Sequence, residues 1–178
     1  MNVLLPILIN FIKMMNEKYN DIFYVFHSTS DFKKLIQDRL FKEGFKNCGS
    51  ISDEKIKSEV LKFSTFAVAK SGTISLEICN SKVPSVIIYK MNIINFLIVK
   101  MLVKVKYANI INIAANEEII PELLQSNCNS QNIFNKVNDF FKNDQLMRNQ
   151  IDKSQNIIKN FKTNRSSEIA ASVLANSL

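Results

Sequence analysis

The chain has 178 residues, of which 47% are hydrophobic and 22% charged, and it carries a formal net charge of +7. These values are typical of a globular protein with enough residues for one sizeable core, and they exclude a predominantly disordered chain. The positive charge does not predict a nucleic-acid partner, because most lysines are interspersed with acidic residues along the chain.

The N-terminal part of the chain predicts a helix, a strand and a second helix. Apolar residues recur at three- and four-residue spacing from Val3 to Tyr19, as in a helix packed on a core. The run "DIFYVFHS" predicts a strand, and residues 31–43 predict a helix that Gly44 ends. No uncharged apolar run is long enough to span a bilayer and the N-terminus is unlike a signal peptide, so we expect a soluble or peripheral protein.

The same alternation continues toward the middle of the chain. Ser52 is predicted to cap a helix whose buried residues are Ile56, Val60, Leu61 and Phe63. The segments that follow are a strand in "TFAVAK", a helix from about Thr73 to Asn80, a strand in "SVIIYK", a helix from about Ile93 to Val103 and an extended "NIINI". After Pro121 the strand signals stop, and residues 130–177 predict two or three helices.

Strict alternation of helices with apolar strands predicts a parallel sheet covered on both faces. We therefore expect a Rossmann-like α/β domain over residues 1–125 and a helical tail over residues 126–178 that packs on it. A doubly wound domain normally begins with a strand, whereas this sequence begins with a helix, so the first strand is predicted to be missing.

The cysteines and the single histidine predict no metal site. Cys48, Cys79 and Cys128 are odd in number and lack CxxC spacing, which indicates neither a disulfide framework nor zinc, and favours a reducing compartment. His27 ends an apolar run and is interpreted as a satisfied residue at the end of a strand.

The stretch "SGTISLE" lies where the third predicted strand meets the next helix. Ligands of open α/β sheets bind at such carboxyl ends, and Gly72 lets a phosphate approach the backbone. Ser71 or Thr73 can bind a phosphate or cap the helix, and Glu77 can accept hydrogen bonds from a ribose. The alternative is an ordinary capped junction with a surface glutamate, and spacing alone leaves both open.

The wider sequence resembles the C-terminal half of lipid-A-disaccharide synthase, a glycosyltransferase family of GT-B fold. The resemblance rests on "SGTISLEICNSKVPSVIIYK" and "LVKVKYANIINIAANEEIIPELLQ", which follow the family's SGTxxLE and VPELLQ segments in order and spacing from about Ala67 to Gln125. It implies transfer of diacylglucosamine from UDP-2,3-diacylglucosamine to 2,3-diacylglucosamine 1-phosphate, with inversion, without metal or other cofactor, in lipid A biosynthesis at the cytoplasmic side of a Gram-negative inner membrane.

The resemblance also implies which residues bind the donor. It places Ser71, Gly72 and Thr73 at the diphosphate and Glu77 at the ribose. Tyr89, Lys90 and Asn112 would then lie along the rim of the same cleft.

The sequence departs from the family pattern at three positions and in length. Ile111, Lys90 and Asn116 stand where the family has Pro, Arg and Gly, and Lys90 loses the two-pronged geometry of arginine. Family members are about twice as long, and their N-terminal half carries the acceptor site and the catalytic acidic residues. The catalytic residues are therefore unknown here, and a separate N-terminal half is an expected partner.

Two alternatives to a synthase fragment remain open from the sequence. One is a remnant or UDP-binding module without turnover. The other is a membrane-surface domain, because residues 90–106 combine lysines with apolar residues and no acid, which suits an anionic membrane surface. A core helix with lysines at its solvent edge explains the same segment equally well.

Overall fold

The structure is a computed structural model that describes residues 3–91 and 106–161. Helices and strands alternate through most of it, as predicted. In chain order the elements are α1 (Leu4–Asn16), β1 (Tyr24–His27), α2 (Ser30–Lys42), β2 (Cys48–Ile51), α3 (Glu54–Phe63), β3 (Ala67–Lys70), α4 (Ile74–Asn80), β4 (Ser85–Tyr89), α5 (Ile110–Ala115), β5 (Glu122–Leu124), a 3₁₀ turn (Gln125–Asn127), α6 (Ser130–Lys142) and α7 (Asp144–Phe161).

All strand pairs are parallel, which confirms the Rossmann-like α/β class. β1 pairs with β2, while β3, β4 and β5 form a second sheet in that order. The buried strand is β4, whose Val86, Ile87 and Ile88 are almost fully covered. Such a continuous apolar run is expected where helices cover both faces of a strand.

Helices lie on both faces of the three-stranded sheet. On one face, Val86 and Ile88 of β4 pack with Phe11 and Ile12 of α1 and with α6 residues such as Ile133. α2 packs beside α1, together with Phe26 of β1 and Cys48 of β2. On the opposite face, Ile87 packs with residues of α4, α5 and α7, and α3 packs against α4 and the alanines of β3.

The ends of α2 and α3 show how local sequence sets the boundaries. Gly44 has a φ of +74°, and it lets the Phe45 N–H reach back to the Leu40 carbonyl at 3.3 Å, so the predicted role of Gly44 is confirmed. The predicted cap at Ser52 is wrong by one residue. Asp53 is the N-cap, because its carboxylate accepts from two N–H groups of the first turn of α3.

The buried face of α3 also differs from the prediction. Leu61 is buried, but Ile56 is 50% exposed and Phe63 is 85% exposed. The buried position is taken instead by Lys57, only 7% exposed, which makes ion pairs described below. The spacing of apolar residues predicted the helix correctly. It could not predict that Lys57 is buried, because only apolar residues were assigned to the buried face.

Two predictions around residue 120 are wrong. "NIINI" is not extended but lies mostly in α5, because the Asn109 side chain accepts from the Ile111 N–H at 2.8 Å and starts a helix. Strand signals do not stop at Pro121, since β5 follows it and pairs with β4. The first prediction failed because β-branched isoleucines favour strands, and the second failed because β5 is too short to give a clear strand pattern.

The C-terminal helices share the core of the sheet. α6 contributes Ile133, Val137 and Phe140 to the main cluster, and Gln150 of α7 is hydrogen-bonded to both the N–H and the carbonyl of Ser85, at 2.6 and 3.0 Å. The division of the chain near residue 125 stays a prediction. The helix predicted from Ile93 to Val103, and the last predicted helix with Ile169, Val173 and Leu174, lie outside the described residues.

Candidate functional site

The carboxyl ends of β3, β4 and β5 lie side by side and form the mouth of the sheet. Parallel pairing places Lys70 beside Ile88 and Tyr89 beside Leu124, so the residues that follow these strands lie together at the carboxyl end of the sheet. Open α/β sheets bind their ligands at this end. Most residues singled out in the sequence lie here.

At the Ser71–Thr73 junction, Ser71 is held by hydrogen bonds, whereas Gly72 and Thr73 are exposed to solvent. The Ser71 N–H donates to the Ile88 carbonyl at 3.3 Å, and its hydroxyl donates to the Ala108 carbonyl at 2.9 Å. Gly72 has a φ of +155°, and a Cβ placed on it would meet no atom within 4 Å. Thr73 is exposed and its hydroxyl does not cap α4. The hydroxyl of Ser71 thus holds the loop, while Gly72 and Thr73 present accessible backbone.

Tyr89 and Lys90 continue the mouth from the end of β4. The Lys70 ammonium lies 5.7 Å from the centroid of the Tyr89 ring, within cation–π range. Lys90 is half-buried, with Nζ 3.5 Å from the Cys128 carbonyl, and Lys106 lies over the Tyr107 ring at 5.1 Å. Lys70 and Lys90 therefore border the carboxyl ends of β3 and β4, and cationic groups at this position suit an anionic ligand.

Glu77 belongs to a chain of charged residues on the α3 side of the mouth. Its Oε2 lies 2.6 Å from Nζ of Lys57, and Lys57 also pairs with Glu54. Glu54 in turn lies 3.3 Å from Nε2 of His27, at the end of β1. The Glu77 side chain is 46% exposed, so it remains accessible while Lys57 fixes its position.

The charge of Lys57 is maintained by its two partners. Burial lowers the pKa of Lys57, but hydrogen bonds and attraction from Glu54 and Glu77 outweigh this, so the pKa lies above its usual value. The hydrogen bond from Lys57 conversely lowers the pKa of Glu54. At neutral pH the group is therefore a cation held between carboxylates, and sequence reasoning missed it because lysines are usually solvated.

Asn112 is part of the scaffold behind the mouth. It is fully buried, its Oδ1 accepts from the N–H groups of Ile119 and Ile120 at 2.9 Å each, and its Nδ2 donates to the Ile120 carbonyl and to Glu122. Both donors and both acceptor positions are therefore used within the protein. The resemblance puts Asn112 on the rim of the cleft, whereas in the structure its side chain is buried behind the mouth.

Glu122 connects Asn112 to the loop that Ser71 contacts. Its carboxylate accepts from the N–H groups of Ala108 at 2.7 Å and Asn109 at 2.9 Å. One network therefore joins Asn112, Glu122, this loop and the Ser71 hydroxyl. Sequence reasoning missed Glu122, although its place directly after Pro121 in the "PELLQ" segment marks it.

Gln125 is a second residue at the mouth that sequence reasoning missed. It follows β5 with a φ of +51°, a left-handed conformation uncommon outside glycine, and its Oε1 accepts from the Met91 N–H at 3.4 Å. Its Nε2 is buried and has no hydrogen-bond partner among the described residues. Backbone strain of this kind tends to occur at functional sites.

The thiols do not supply a nucleophile. Burial raises the pKa of Cys48 to about 11 and also raises the pKa of Cys79 and Cys128, so all three are neutral thiols at neutral pH. Over the described residues, no group of three or more His, Cys, Asp or Glu side chains is arranged to hold a metal. Within the same residues, no helix has the length and apolarity needed to cross a membrane.

Comparison with known proteins relates the chain to one family along most of its length. The family model described as lipid-A-disaccharide synthetase (LpxB) matches residues 1–175. The chain is 40% identical over 174 residues to the lipid-A-disaccharide synthase of Rickettsia prowazekii and 38% identical to that of Rickettsia typhi, in each case over 96% of this chain and 45% of the relative. A 136-residue match to the Rickettsia bellii protein is 40% identical and covers 75% of this chain and 35% of the relative. The chain thus spans less than half the length of these relatives.

Proposed function

The chain belongs to the lipid-A-disaccharide synthetase family, and on that premise we propose that it is the donor-binding part of a lipid-A-disaccharide synthase. The observation that carries the proposal is that the Ser71–Thr73 junction opens at the carboxyl mouth of the sheet inside a family match covering residues 1–175. The proposed donor is UDP-2,3-diacylglucosamine, and the proposed acceptor is an acylated glucosamine phosphate.

The proposed reaction is an inverting transfer in which the acceptor hydroxyl attacks the anomeric carbon and UDP departs. The departing diphosphate gains negative charge, so preorganised donors and cations at that position lower the barrier. In this chain the backbone of Gly72 and Thr73, with Lys70 and Lys90 nearby, supplies such groups. The proposed reaction uses no metal ion, so these groups are assigned the stabilisation of the diphosphate charge.

The remaining residues are assigned to orientation of the donor. Glu77, held by Lys57, accepts from the ribose hydroxyls, and Tyr89 borders the sugar or the base. Ser71 acts mainly by holding the loop near Ala108, to which its hydroxyl donates, and Asn112 acts through Glu122, which accepts from the same loop. The base that activates the acceptor hydroxyl is assigned to a separate N-terminal half, and we place the complete enzyme peripherally at the cytoplasmic face of the inner membrane.

Calorimetry with UDP tests the donor site. We expect detectable binding to the chain and weaker binding to Glu77→Ala, because a ribose hydroxyl loses its charged acceptor. Glu59→Ala is the matched control, since Glu59 is an exposed helical glutamate whose ion pair is with Lys62 and not with Lys57. Absence of UDP binding at millimolar ligand, or equal loss in both variants, contradicts the assignment.

A turnover assay separates a complete enzyme from a donor-binding module. With both lipid substrates, the purified chain alone is expected to form no disaccharide, because the base that activates the acceptor is assigned to the N-terminal half. Measured turnover by the chain alone would show that the base lies within it. UDP binding without turnover, even when an N-terminal half is added, would instead support a binding module.

A further inference from the structure

Gln125 connects the carboxyl ends of β4 and β5 at the mouth of the sheet. Tyr89 of β4 pairs with Leu124 of β5, so Met91 and Gln125, which follow these residues, lie close together. The Met91 N–H donates to Oε1 of Gln125 at 3.4 Å. Because a backbone N–H can only donate, this contact fixes which end of the side-chain amide is the oxygen and leaves Nε2 on the other side.

The Nε2 group of Gln125 is a donor without an acceptor. The atom is buried, although the residue as a whole is half-buried, and no described residue accepts a hydrogen bond from it. An amide nitrogen shielded from water loses the hydrogen bonds that it makes in solution, and folded proteins usually supply a partner. An acceptor on a bound ligand would satisfy this group.

The backbone of Gln125 is held in a conformation that favours glycine. Its φ is +51°, in the left-handed region, where residues with side chains are uncommon. The Gln125 carbonyl accepts from the Cys128 N–H at 3.1 Å, and Nζ of Lys90 lies 3.5 Å from the Cys128 carbonyl. The turn is therefore connected to the end of β4 by two side chains, and a strained residue fixed in this way is typical of a functional site.

The order of the strands indicates which part of the donor reaches Gln125. The proposed diphosphate contact follows β3, and the proposed ribose contact, Glu77, is turned toward Lys57 of α3. With the ribose on the α3 side of the diphosphate, the sugar extends the other way, toward β4 and β5. Two strand spacings of about 4.8 Å each separate the ends of β3 and β5, a distance that a sugar linked to the diphosphate can bridge.

The chemistry of the unpaired atom indicates which group on that sugar it binds. Oε1 of Gln125 already accepts from Met91, so the side chain can offer only the donors of Nε2. A carbonyl oxygen accepts without presenting a proton of its own, so it matches such a group better than a hydroxyl does. The amide is also neutral, which suits a neutral carbonyl, whereas the ammonium groups of Lys70 and Lys90 suit the phosphates.

We propose that Gln125 is a specificity-determining residue whose Nε2 donates to the carbonyl oxygen of the acyl-amide group on the donor sugar. The inference rests on the proposed function, because it takes the UDP-linked sugar to lie at this mouth. A hydroxyl at the same carbon is shorter than the acyl amide and leaves Nε2 without its acceptor. The unpaired donor then disfavours that sugar, which makes the site selective for an N-acylated one.

Calorimetry with three soluble ligands tests the assignment: UDP, UDP-glucose and UDP-N-acetylglucosamine. The last of these carries an acyl amide where UDP-glucose carries a hydroxyl. We expect the wild-type chain to bind UDP-N-acetylglucosamine at least about fivefold more tightly than UDP-glucose. In Gln125→Met, which keeps the length of the side chain without its donors, the preference should disappear while the affinity for UDP changes by less than about twofold.

Two further variants control for the backbone and for the loss of a glutamine. Glycine adopts a φ of +51° without strain, so Gln125→Gly should fold with an unchanged or higher melting temperature and should also lose the preference. Gln145→Met is the matched control, because Gln145 is exposed and donates to Asn149 on its own helix. This control should keep the preference of the wild type.

Side-chain amide signals in a ¹⁵N–¹H NMR spectrum report the hydrogen bond directly. The Gln125 signals are identified by their absence from the spectrum of Gln125→Met. UDP-N-acetylglucosamine should shift them more than UDP-glucose does, whereas the signals of Gln145 should not respond to either ligand. Equal shifts of the Gln125 signals with the two sugars would contradict a contact with the acyl amide.

The possible outcomes separate this proposal from the proposed function. A preference that persists in both Gln125 variants, or UDP binding by the wild type without any preference, overturns the role of Gln125 and leaves the donor site intact. Weaker binding of UDP itself to Gln125→Gly would make Gln125 a contact of the nucleotide and overturn the carbonyl assignment. Absence of binding to all three ligands overturns the proposed function and this inference with it.

Discussion

Replacing Asn112 by alanine is expected to destabilise the protein strongly. Asn112 is fully buried and its side chain satisfies the N–H groups of Ile119 and Ile120, the Ile120 carbonyl and one oxygen of Glu122. Alanine leaves these buried backbone groups without partners, and each costs about 1–3 kcal/mol. Partial relaxation and entry of water reduce the sum, so we expect the free energy of unfolding to fall by about 3 kcal/mol or more.

The measurement is urea denaturation followed by far-UV circular dichroism, since the chain contains no tryptophan. A lower midpoint at unchanged slope reports a loss of stability. For a chain of this length the change corresponds to a melting temperature lower by roughly 6–12 °C. Asn135→Ala is the control, because Asn135 is exposed and accepts a hydrogen bond from the exposed Gln131, and it should change stability by less than about 0.5 kcal/mol.

Asn112→Asp refines the same test. Aspartate still accepts from the N–H groups of Ile119 and Ile120, but it faces the Glu122 carboxylate where the amide donated at 2.8 Å. Two carboxylates in contact raise the pKa of one of them, so this variant should regain stability relative to wild type as the pH falls toward about 5. A loss below about 1 kcal/mol in Asn112→Ala, combined with lost UDP affinity, would refute the scaffold role and favour direct ligand contact.

Three further predictions concern charges and the glycine of the mouth. Lys57→Met should weaken UDP binding while changing stability by no more than about 1 kcal/mol, because the carboxylates it leaves behind are solvent-accessible; unchanged affinity measured by calorimetry would contradict its role in holding Glu77. Gly72→Ala should cost about 1 kcal/mol in urea denaturation, because its φ of +155° is unfavourable for alanine while the added methyl meets no atom; a neutral effect would show that the loop relaxes. Hydrogen bonds from Lys13 and Lys57 lower the pKa of Glu43 and Glu54, so the stability they contribute is present above the ordinary value of 4.5 and is lost as the pH falls through their lower values in the folded state. Glu43→Gln should therefore flatten the acid limb of a stability–pH curve, and Glu59→Gln should not.

The sequence predicted the parts of the fold that local rules determine. Helical spacing located α1, α2 and α6, and Gly44 marked the end of α2 because few other residues adopt its backbone conformation. Asn116, where the family pattern has glycine, adopts a left-handed conformation, which asparagine tolerates better than most residues. The parallel sheet followed from the alternation of elements.

Predictions failed where tertiary contacts decide the outcome. "NIINI" has strand composition, yet the Asn109 cap and the burial of Ile111 make the segment helical. Lys57 is buried because two carboxylates from different elements meet it, and no local pattern reports that pairing. The strand-to-helix junction was located from sequence, whereas the split between residues that hold the loop and residues that face the opening depends on hydrogen bonds across the chain.

Gln150 links the C-terminal helix α7 to strand β4, which bears on where the chain can be divided or fused to another protein. Its side-chain amide bonds Ser85, the first residue of β4, as a neighbouring strand would. The Gln150 Oε1 accepts from the Ser85 N–H, and Nε2 donates to the Ser85 carbonyl and, at 3.3 Å, to the Ile119 carbonyl. A cut near residue 125 would leave that strand with unpaired backbone groups as well as an uncovered face. We therefore expect the helices after the sheet to fold together with it, and engineered breaks between β5 and α7 to be poorly tolerated.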